Sequence, residues 1–245
     1  MTGRIGVQVA LEAEAAGVVA ALEGARTTVR CGRALTSGRL GGREVVVAVS
    51  GIGKVAAAVT ATLLAGEVEA LLVVGTSGGL GAGVDPGDVV VATALLQHDL
   101  DARPLFGRWV QPDLGESRFA PTPAVTWALL AAADEVVAAH PGAPTPGGRP
   151  PRRQAGLIVS GDAFVNSHEA ARRLRQDLPD ALACDMESAA VAQVCAMAAL
   201  PFGVVRTISD RANGQAAVDF GKFLSVAAGL HRDLVVGALT RLTDH

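Results

Sequence analysis

The stretch EVVVAVSGIGKVAAAVTATLLAGEVEALLVVGTSGGL, residues 44–80, decides the fold. Glu44–Ser50 is dominated by consecutive valines, the mark of a strand buried on both faces. Gly51-Ile52-Gly53 turns the chain, Lys54–Ala65 is built from strong helix formers and stops at Gly66, and Leu71–Val74 is a second apolar strand running into Gly75. Strand, helix and strand make a βαβ unit. The same alternation continues outward: a strand at Ile5–Ala10 and a helix at Leu11–Glu23 precede it. Strands at Asp88–Thr93, Gly156–Ser160 and Phe202–Ile208 follow, with helices near Pro123–Ala139, Glu169–Leu178, Glu187–Ala199 and Phe220–Leu242. This pattern predicts an α/β fold, a single-domain three-layer α/β/α architecture with a central mixed twisted sheet. One composition shift interrupts it, HPGAPTPGGRPPRRQ at 140–154, and it reads as a surface loop inserted within a single domain spanning 1–245.

Composition removes several classes of function. Half of the 245 residues are apolar and 18% are charged, enough to build a core and too few charges for a disordered chain. Apolar runs are broken well before the roughly 18 residues that span a bilayer, and the start of the chain lacks a secretory plan, so a cytoplasmic protein without membrane partners is expected. A net charge of -3, with six Phe, two Trp and no Tyr, is poor material for nucleic-acid binding. Cys31, Cys184 and Cys195 show neither CxxC nor Cys/His ligand spacing and read as small buried free thiols; no metal site and no cofactor is expected.

Gly51-Ile52-Gly53-Lys54-Val55-Ala56 fits a loose dinucleotide fingerprint, G-x-G-x-x-G/A. That fingerprint requires an acid at the end of the second strand, and this strand ends in Val74-Gly75-Thr76-Ser77, so a tight turn is the better reading. Gly75-Thr76-Ser77-Gly78-Gly79 lies just past a strand end and is either a loop that approaches a sugar or anion closely or a plain structural loop. Carboxylates carry more information. Glu12 and Glu14 follow the first strand, Glu187 opens a helix after Ala181–Met186, and Asp210 closes the strand Phe202–Ile208. For Glu12 the competing role is a helix start, and for Asp210 it is capping through Ser209. Acids converging at strand ends suit glycosidic cleavage, one protonating the leaving group and another activating water.

The segments SGIGKVAAA at 50–58, GTSGGL at 75–80, VSGDAF at 159–164, CDMESAAVAQVC at 184–195 and VVRTISDRAN at 204–213 together resemble the 5′-methylthioadenosine/S-adenosylhomocysteine nucleosidases, within the purine nucleoside phosphorylase superfamily. The resemblance runs from about Ile5 to Ala228. It implies a nucleoside phosphorylase-like fold and hydrolysis of the N-glycosidic bond of a small-molecule nucleoside, releasing adenine. It further implies that Glu14, with Arg206 nearby, positions and deprotonates the attacking water. Glu187 would accept hydrogen bonds from the ribose 2′- and 3′-hydroxyls, as an acceptor-only carboxylate can. Met186 would pack on the ribose, and Asp210, held by Ser209, would donate a proton to N7 of adenine. The segment Ala163-Phe164-Val165 would read the purine edge while Phe164 stacks on the ring, with Phe220 closing over it. Thr76, Ser77, Gly78 and Asp185 complete the implied substrate site, and Phe106 would reach it across the interface of a homodimer, within a segment Asp101–Trp109.

The chain departs from the family pattern at Thr76 and Ser77 (commonly Ser and Ala), at Asp185 (more usually Glu), at Asn213 (more usually Asp) and at Leu105-Phe106. Three rival functions stand beside the nucleosidase reading. A purine nucleoside phosphorylase would need a Gly-Asp-Pro-x-Arg phosphate loop where Ala10–Glu14 stands. A futalosine or 6-amino-6-deoxyfutalosine hydrolase shares the water chemistry. A non-catalytic ligand-binding module of the same fold would not need Glu14, Glu187 and Asp210 together.

Overall fold

The computed structural model describes residues 3–140, 149–213 and 216–242. In chain order the elements are β1 Ile5–Val9, α1 Glu12–Ala20, β2 Glu23–Arg30, β3 Arg33–Leu40, β4 Arg43–Val49, α2 Lys54–Ala65, β5 Ala70–Gly79, β6 Val89–Gln97, α3 Pro123–Ala139, β7 Arg153–Ser160, α4 His168–Asp177, β8 Ala181–Asp185, α5 Ser188–Ala198, β9 Phe202–Asp210 and α6 Ala216–Arg241. The strands form one mixed sheet in the order β2-β3-β4-β1-β5-β8-β7-β6-β9, and β9 also pairs with β5. That last pairing closes β5, β8, β7, β6 and β9 into a ring, so the sheet is open at the β2 end only.

Helices cover both faces, as the three-layer expectation requires. On one face Ala15 and Val18 of α1, Val125 and Leu129 of α3, and Leu234 and Leu239 of α6 pack against Val7, Val47 and Val74. On the other, Ala57, Ala61 and Leu64 of α2 and Val191, Ala192 and Cys195 of α5 pack against Val46, Leu71 and Val204. The small side chains of α2 and α5 let both helices sit close to the sheet. Gly51 and Gly53 adopt φ of +79° and +97°, the left-handed backbone that the tight-turn reading needs.

The edge of β5 organises everything that follows. β1 runs parallel to it from Ile5–Ala70 to Gln8–Val73 and then ends, and β8 takes over the same edge, antiparallel, at Gly78 and Gly79. Along its other edge β5 is paired with β9 as far as Gly78–Asp210. The ends of β1, β8 and β9 therefore meet around the upper half of β5.

Several expectations are corrected. Gly75–Gly79 is not a loop: β5 continues through it, held on both edges, because a Cβ at Gly75 would collide with the Arg206 guanidinium and one at Gly78 would press on Asp210 Oδ1 at 3.1 Å. The hairpin β2–β3 was not foreseen; every residue of β2 is exposed, so it has no apolar face to announce it. Cys31, at the tip of that hairpin, is exposed, whereas Cys184 and Cys195 are buried free thiols as expected. Of the 140–154 insertion, 141–148 lie outside the described residues, and Arg153 and Gln154 already belong to β7, paired with Val89 and Val90. The last helix begins at Ala216, ahead of Phe220.

Candidate active site

A cavity of about 420 Å³ opens where β1 and β8 part along β5, lined by Ala10, Leu11, Glu14, Ile52, Thr76, Ser77, Gly78, Phe164, Cys184, Asp185, Met186, Glu187, Ser209, Asp210 and Phe220. Glu14, Glu187 and Asp210, from three different segments, all reach it, and each is at least nine-tenths buried. Glu12, the alternative acid after β1, is exposed, as a helix-start residue would be.

Glu14 occupies the first turn of α1, and its carboxylate is held by four donors. Oε2 accepts from the backbone N–H groups of Ala10 and Leu11 at 3.1 and 3.0 Å, and Oε1 accepts from the Thr76 amide and the Thr76 hydroxyl, both at 2.8 Å. Four bonds, two from the turn between β1 and α1 and two from β5, fix its orientation toward the cavity. Ser77 lines the wall, but its hydroxyl donates to the Cys184 carbonyl at 2.7 Å. The two hydroxyls of the Gly75–Gly79 segment thus serve the frame of the site.

Arg206 lies near Glu14, as the resemblance implies, but spends its hydrogen bonds elsewhere. It does not line the cavity and it does not pair with Glu14; its Nε lies 2.8 Å from Asp185 Oδ2 and its Nη2 lies 3.6 Å from Glu187 Oε2. It also donates to the Ser188 hydroxyl at 2.8–3.0 Å. The register explains this: Arg206 stands opposite Gly75 across the β5–β9 ladder, and the missing Cβ lets its side chain run toward the start of α5. Asp185 is likewise spent on protein groups. It accepts from Ser160 Oγ at 2.5 Å, from the amides of Glu187 and Ser188 at 3.2 and 3.1 Å, and from the Ser188 hydroxyl.

The electrostatics follow from one guanidinium among three buried carboxylates. Burial acts to lower the proton affinity of Arg206, but Asp185, Glu187 and Glu14 outweigh it and hold the guanidinium above its ordinary range. For Glu187, burial is the largest effect and pushes it up to about 7, with Arg206 opposing and Asp185 and Glu14 adding to the rise. Its Oε1 accepts from the Gly53 amide at 3.0 Å. Behind Glu14, the fully buried His231 is held in its neutral form by burial, and its Nε2 lies 3.0 Å from the Thr207 hydroxyl.

At the far end, Asp210 Oδ2 lies 2.7 Å from Ser209 Oγ and Oδ1 accepts from the Ala212 amide at 2.7 Å. Phe164 and Phe220 flank this end edge to face, with ring centroids 6.5 Å apart. Val165 lines a smaller hollow beside the main cavity, next to Cys184 and Asp210. Phe106 is not among the lining residues of its own chain; it is 43% exposed beside Leu105 at 84%. The structure adds Ala10, Leu11, Ile52 and Cys184 to the wall. Ile52 was detectable as an apolar residue between two glycines of a turn, and Cys184 as the residue before Asp185 at a strand end. Burial pushes the Cys184 thiol well up, so it stays protonated as an apolar wall. Among the described residues no group of His, Cys, Asp or Glu is arranged to hold a metal ion, and no helix is long and apolar enough to cross a membrane.

The phosphorylase superfamily profile matches residues 4–240. A 5′-methylthioadenosine/S-adenosylhomocysteine nucleosidase from Shewanella piezotolerans is 35% identical over 97% of this chain and 99% of its own length. The crystal structure of the Neisseria meningitidis nucleosidase of that name, in complex with methylthio-immucillin-A, superposes with a TM-score of 0.86 at 32% identity, covering 96% of this chain and 98% of that one. That of the Colwellia psychrerythraea nucleosidase, in complex with adenine, superposes with a TM-score of 0.89 at 30% identity, covering 99% and 96%. With the fold, the convergent carboxylates and these relatives in agreement, the chain belongs to the 5′-methylthioadenosine/S-adenosylhomocysteine nucleosidase family of the phosphorylase superfamily.

Proposed function

We propose that this chain hydrolyses the N-glycosidic bond of 5′-methylthioadenosine and S-adenosylhomocysteine, releasing adenine and the 5′-thio-substituted ribose. The observation that carries the reading is the convergence of Glu14, Glu187 and Asp210 on one cavity. Glu187 accepts the ribose 2′- and 3′-hydroxyls while Met186 packs on the sugar. Glu14 takes a proton from the attacking water, whose oxygen bonds to C1′ as the C1′–N9 bond breaks. Of the four donors on Glu14, only the Thr76 hydroxyl can rotate away, and its departure frees a lone pair for that proton. Arg206 acts through Glu187 and Asp185 as a positioning residue. Asp210 delivers its proton to N7 of the leaving adenine, and the carboxylate left behind is received by the Ser209 hydroxyl and the Ala212 amide. Phe164 and Phe220 enclose the purine. The step needs no redox or metal chemistry: one water is consumed, one bond forms and one breaks.

A hydrolase of futalosine itself is not favoured over this one, since an Asp at the purine end suits a 6-amino better than a 6-oxo base. We further propose a homodimer in which Asp101–Trp109 contributes to the neighbour's site, supported by the exposure of Leu105 and Phe106 on that segment and of Ile52 and Val55 at the start of α2. A cytoplasmic location accords with three cysteines that are all unbridged. The test is adenine release from methylthioadenosine, followed by ultraviolet absorbance with and without phosphate. Equal rates and a free pentose product are expected; a ribose 1-phosphate product would overturn hydrolysis.

A further inference from the structure

Three segments distant in sequence are tied together beside Glu187. Asp99, just after β6, accepts from Lys54 Nζ through Oδ1 at 2.7 Å and from the Asp162 amide through Oδ2 at 2.9 Å. Asp162, just after β7, accepts in turn from the Lys54 backbone N–H through Oδ1 at 2.8 Å. The result is a closed ring of Lys54, Asp99 and Asp162. One residue before Lys54, the Gly53 amide donates to Glu187. The fit is close: a Cβ at Gly53 would stand 3.1 Å from Asp162 Oδ1.

The helix itself does not account for this arrangement. The N-terminus of α2 has no side-chain cap and no acid in its first turn, and a lysine stands at its first position. A helix start leaves N–H groups unpaired, and lysine there opposes the helix dipole. Here two of the donors are satisfied from outside, Lys54 N–H by Asp162 and Gly53 N–H by Glu187, and the lysine charge is taken up by Asp99. The Lys54 and Asp99 side chains are only 19% and 33% exposed, so the pair is partly shielded from solvent.

We propose that the Lys54–Asp99–Asp162 ring is a positioning device that holds the Gly53 amide on Glu187 and thereby fixes the carboxylate that grips the ribose. The inference rests on the assignment of Glu187 to the ribose diol. The groups that face Glu187 are Arg206 from β9, Asp185 from β8, Glu14 from α1 and the Gly53 amide from the turn before α2. Of these, the Gly53 amide is the one tied to Lys54. Because it bonds the ionised carboxylate, its loss makes Glu187 harder to ionise.

The test uses the full chain with Lys54→Met and, separately, Asp99→Asn, folding being checked by circular dichroism. kcat and KM for methylthioadenosine are measured from about pH 6 to 9, together with inhibition by adenine, which has no ribose. Either variant should raise KM about tenfold, the weight of one hydrogen bond to a charged group, with a smaller change in kcat. Adenine inhibition should be unchanged, and the pH below which KM climbs should move upward. In a Glu187→Ala background, which leaves the Gly53 amide no side-chain acceptor, Lys54→Met should add nothing to KM. If Glu187→Gln alone leaves KM unchanged, the ribose assignment fails. If Glu187→Gln raises KM but neither ring variant does, or if the ring variants weaken adenine equally, the positioning role is overturned. Should Lys54→Met not fold, Asp99→Asn decides alone, since its amide oxygen can still accept from Asp162.

Discussion

Replacing Glu187 with Gln should stabilise the ligand-free protein, and the gain should depend on pH in a defined direction. Burial raises the Glu187 carboxyl from 4.5 to about 7 in the folded chain. A carboxyl whose folded pKa lies above its unfolded one opposes folding only when ionised. The penalty is therefore absent below pH 4.5, grows between 4.5 and about 7, and is complete above that. At 1.36 kcal/mol per unit the shift amounts to about 3 kcal/mol. Gln keeps the shape and an acceptor for the Gly53 amide but cannot ionise. The variant should match the parent near pH 4.5 and exceed it by up to about 3 kcal/mol at pH 8, or roughly 6–12 °C in melting temperature for a chain of this size. The assay is urea and thermal unfolding by circular dichroism at several pH values and one fixed protein concentration, because an associating protein's stability depends on concentration. A difference between variant and parent that stays constant with pH would refute the reasoning, since Glu187 would then ionise equally in both states. The same titration governs function in the parent: only the ionised carboxylate offers acceptors to both ribose hydroxyls, so KM should rise as pH falls below about 7, and this rise should vanish in Glu187→Gln.

Asp210→Asn should keep the fold and lose about 10²- to 10⁴-fold in kcat, the range for one general acid, with KM less affected; a folded variant with kcat within about threefold of the parent would show that the leaving group takes its proton elsewhere. Thr76→Val removes the one donor that can turn away from Glu14 while leaving the Thr76 amide bond in place, and kcat should stay within about threefold of the parent with little change in KM; a tenfold loss would show that the hydroxyl must stay on the carboxylate during the reaction. Phe106→Ala should mainly raise KM, with light scattering giving a dimer at micromolar concentration; a fully active monomer would remove the interfacial role of the Asp101–Trp109 segment.

What the sequence disclosed followed from periodicity and burial. The apolar runs at 45–49 and 71–74 read as doubly buried strands, and the Lys54–Ala65 and Pro123–Ala139 helices start and stop where their residues say. Glu14, Glu187 and Asp210 stand out as a set because each follows or closes a strand; Glu14 and Asp210 come from strands parallel to β5, while Glu187 reaches the same cavity from the end of β8, which runs antiparallel to it. Two things escaped for opposite physical reasons. β2 has no buried face, so nothing in its composition separates it from a loop. The upper half of β5 is glycine-rich, and glycine is read as a break, although here it makes room for Arg206 and Asp210 to cross the strand. That Arg206, near Glu14, bonds to Asp185 turns on one cross-strand pairing, Gly75 with Arg206, and register between distant strands is not written in either segment alone.

That pairing also bears on why water should be the nucleophile. A phosphorolytic site must bind a phosphate dianion beside C1′ and therefore needs cationic donors free to meet it. Arg206, the cation among Glu14, Asp185 and Glu187, already bonds to Asp185 and Ser188 and lies near Glu187. Glu14, in the segment that would have to hold the phosphate, presents a carboxylate fixed by four donors. A dianion brought there would meet like charge in a partly desolvated pocket, where repulsion is least screened. The same surplus of negative charge favours a neutral nucleophile and a sugar that becomes cationic as its bond to adenine breaks. With its hydrogen bonds spent on Asp185 and Ser188, Arg206 stands near Glu14 without bonding to it, which supports the hydrolytic reading: Glu14 keeps a carboxylate able to take up the proton that water gives.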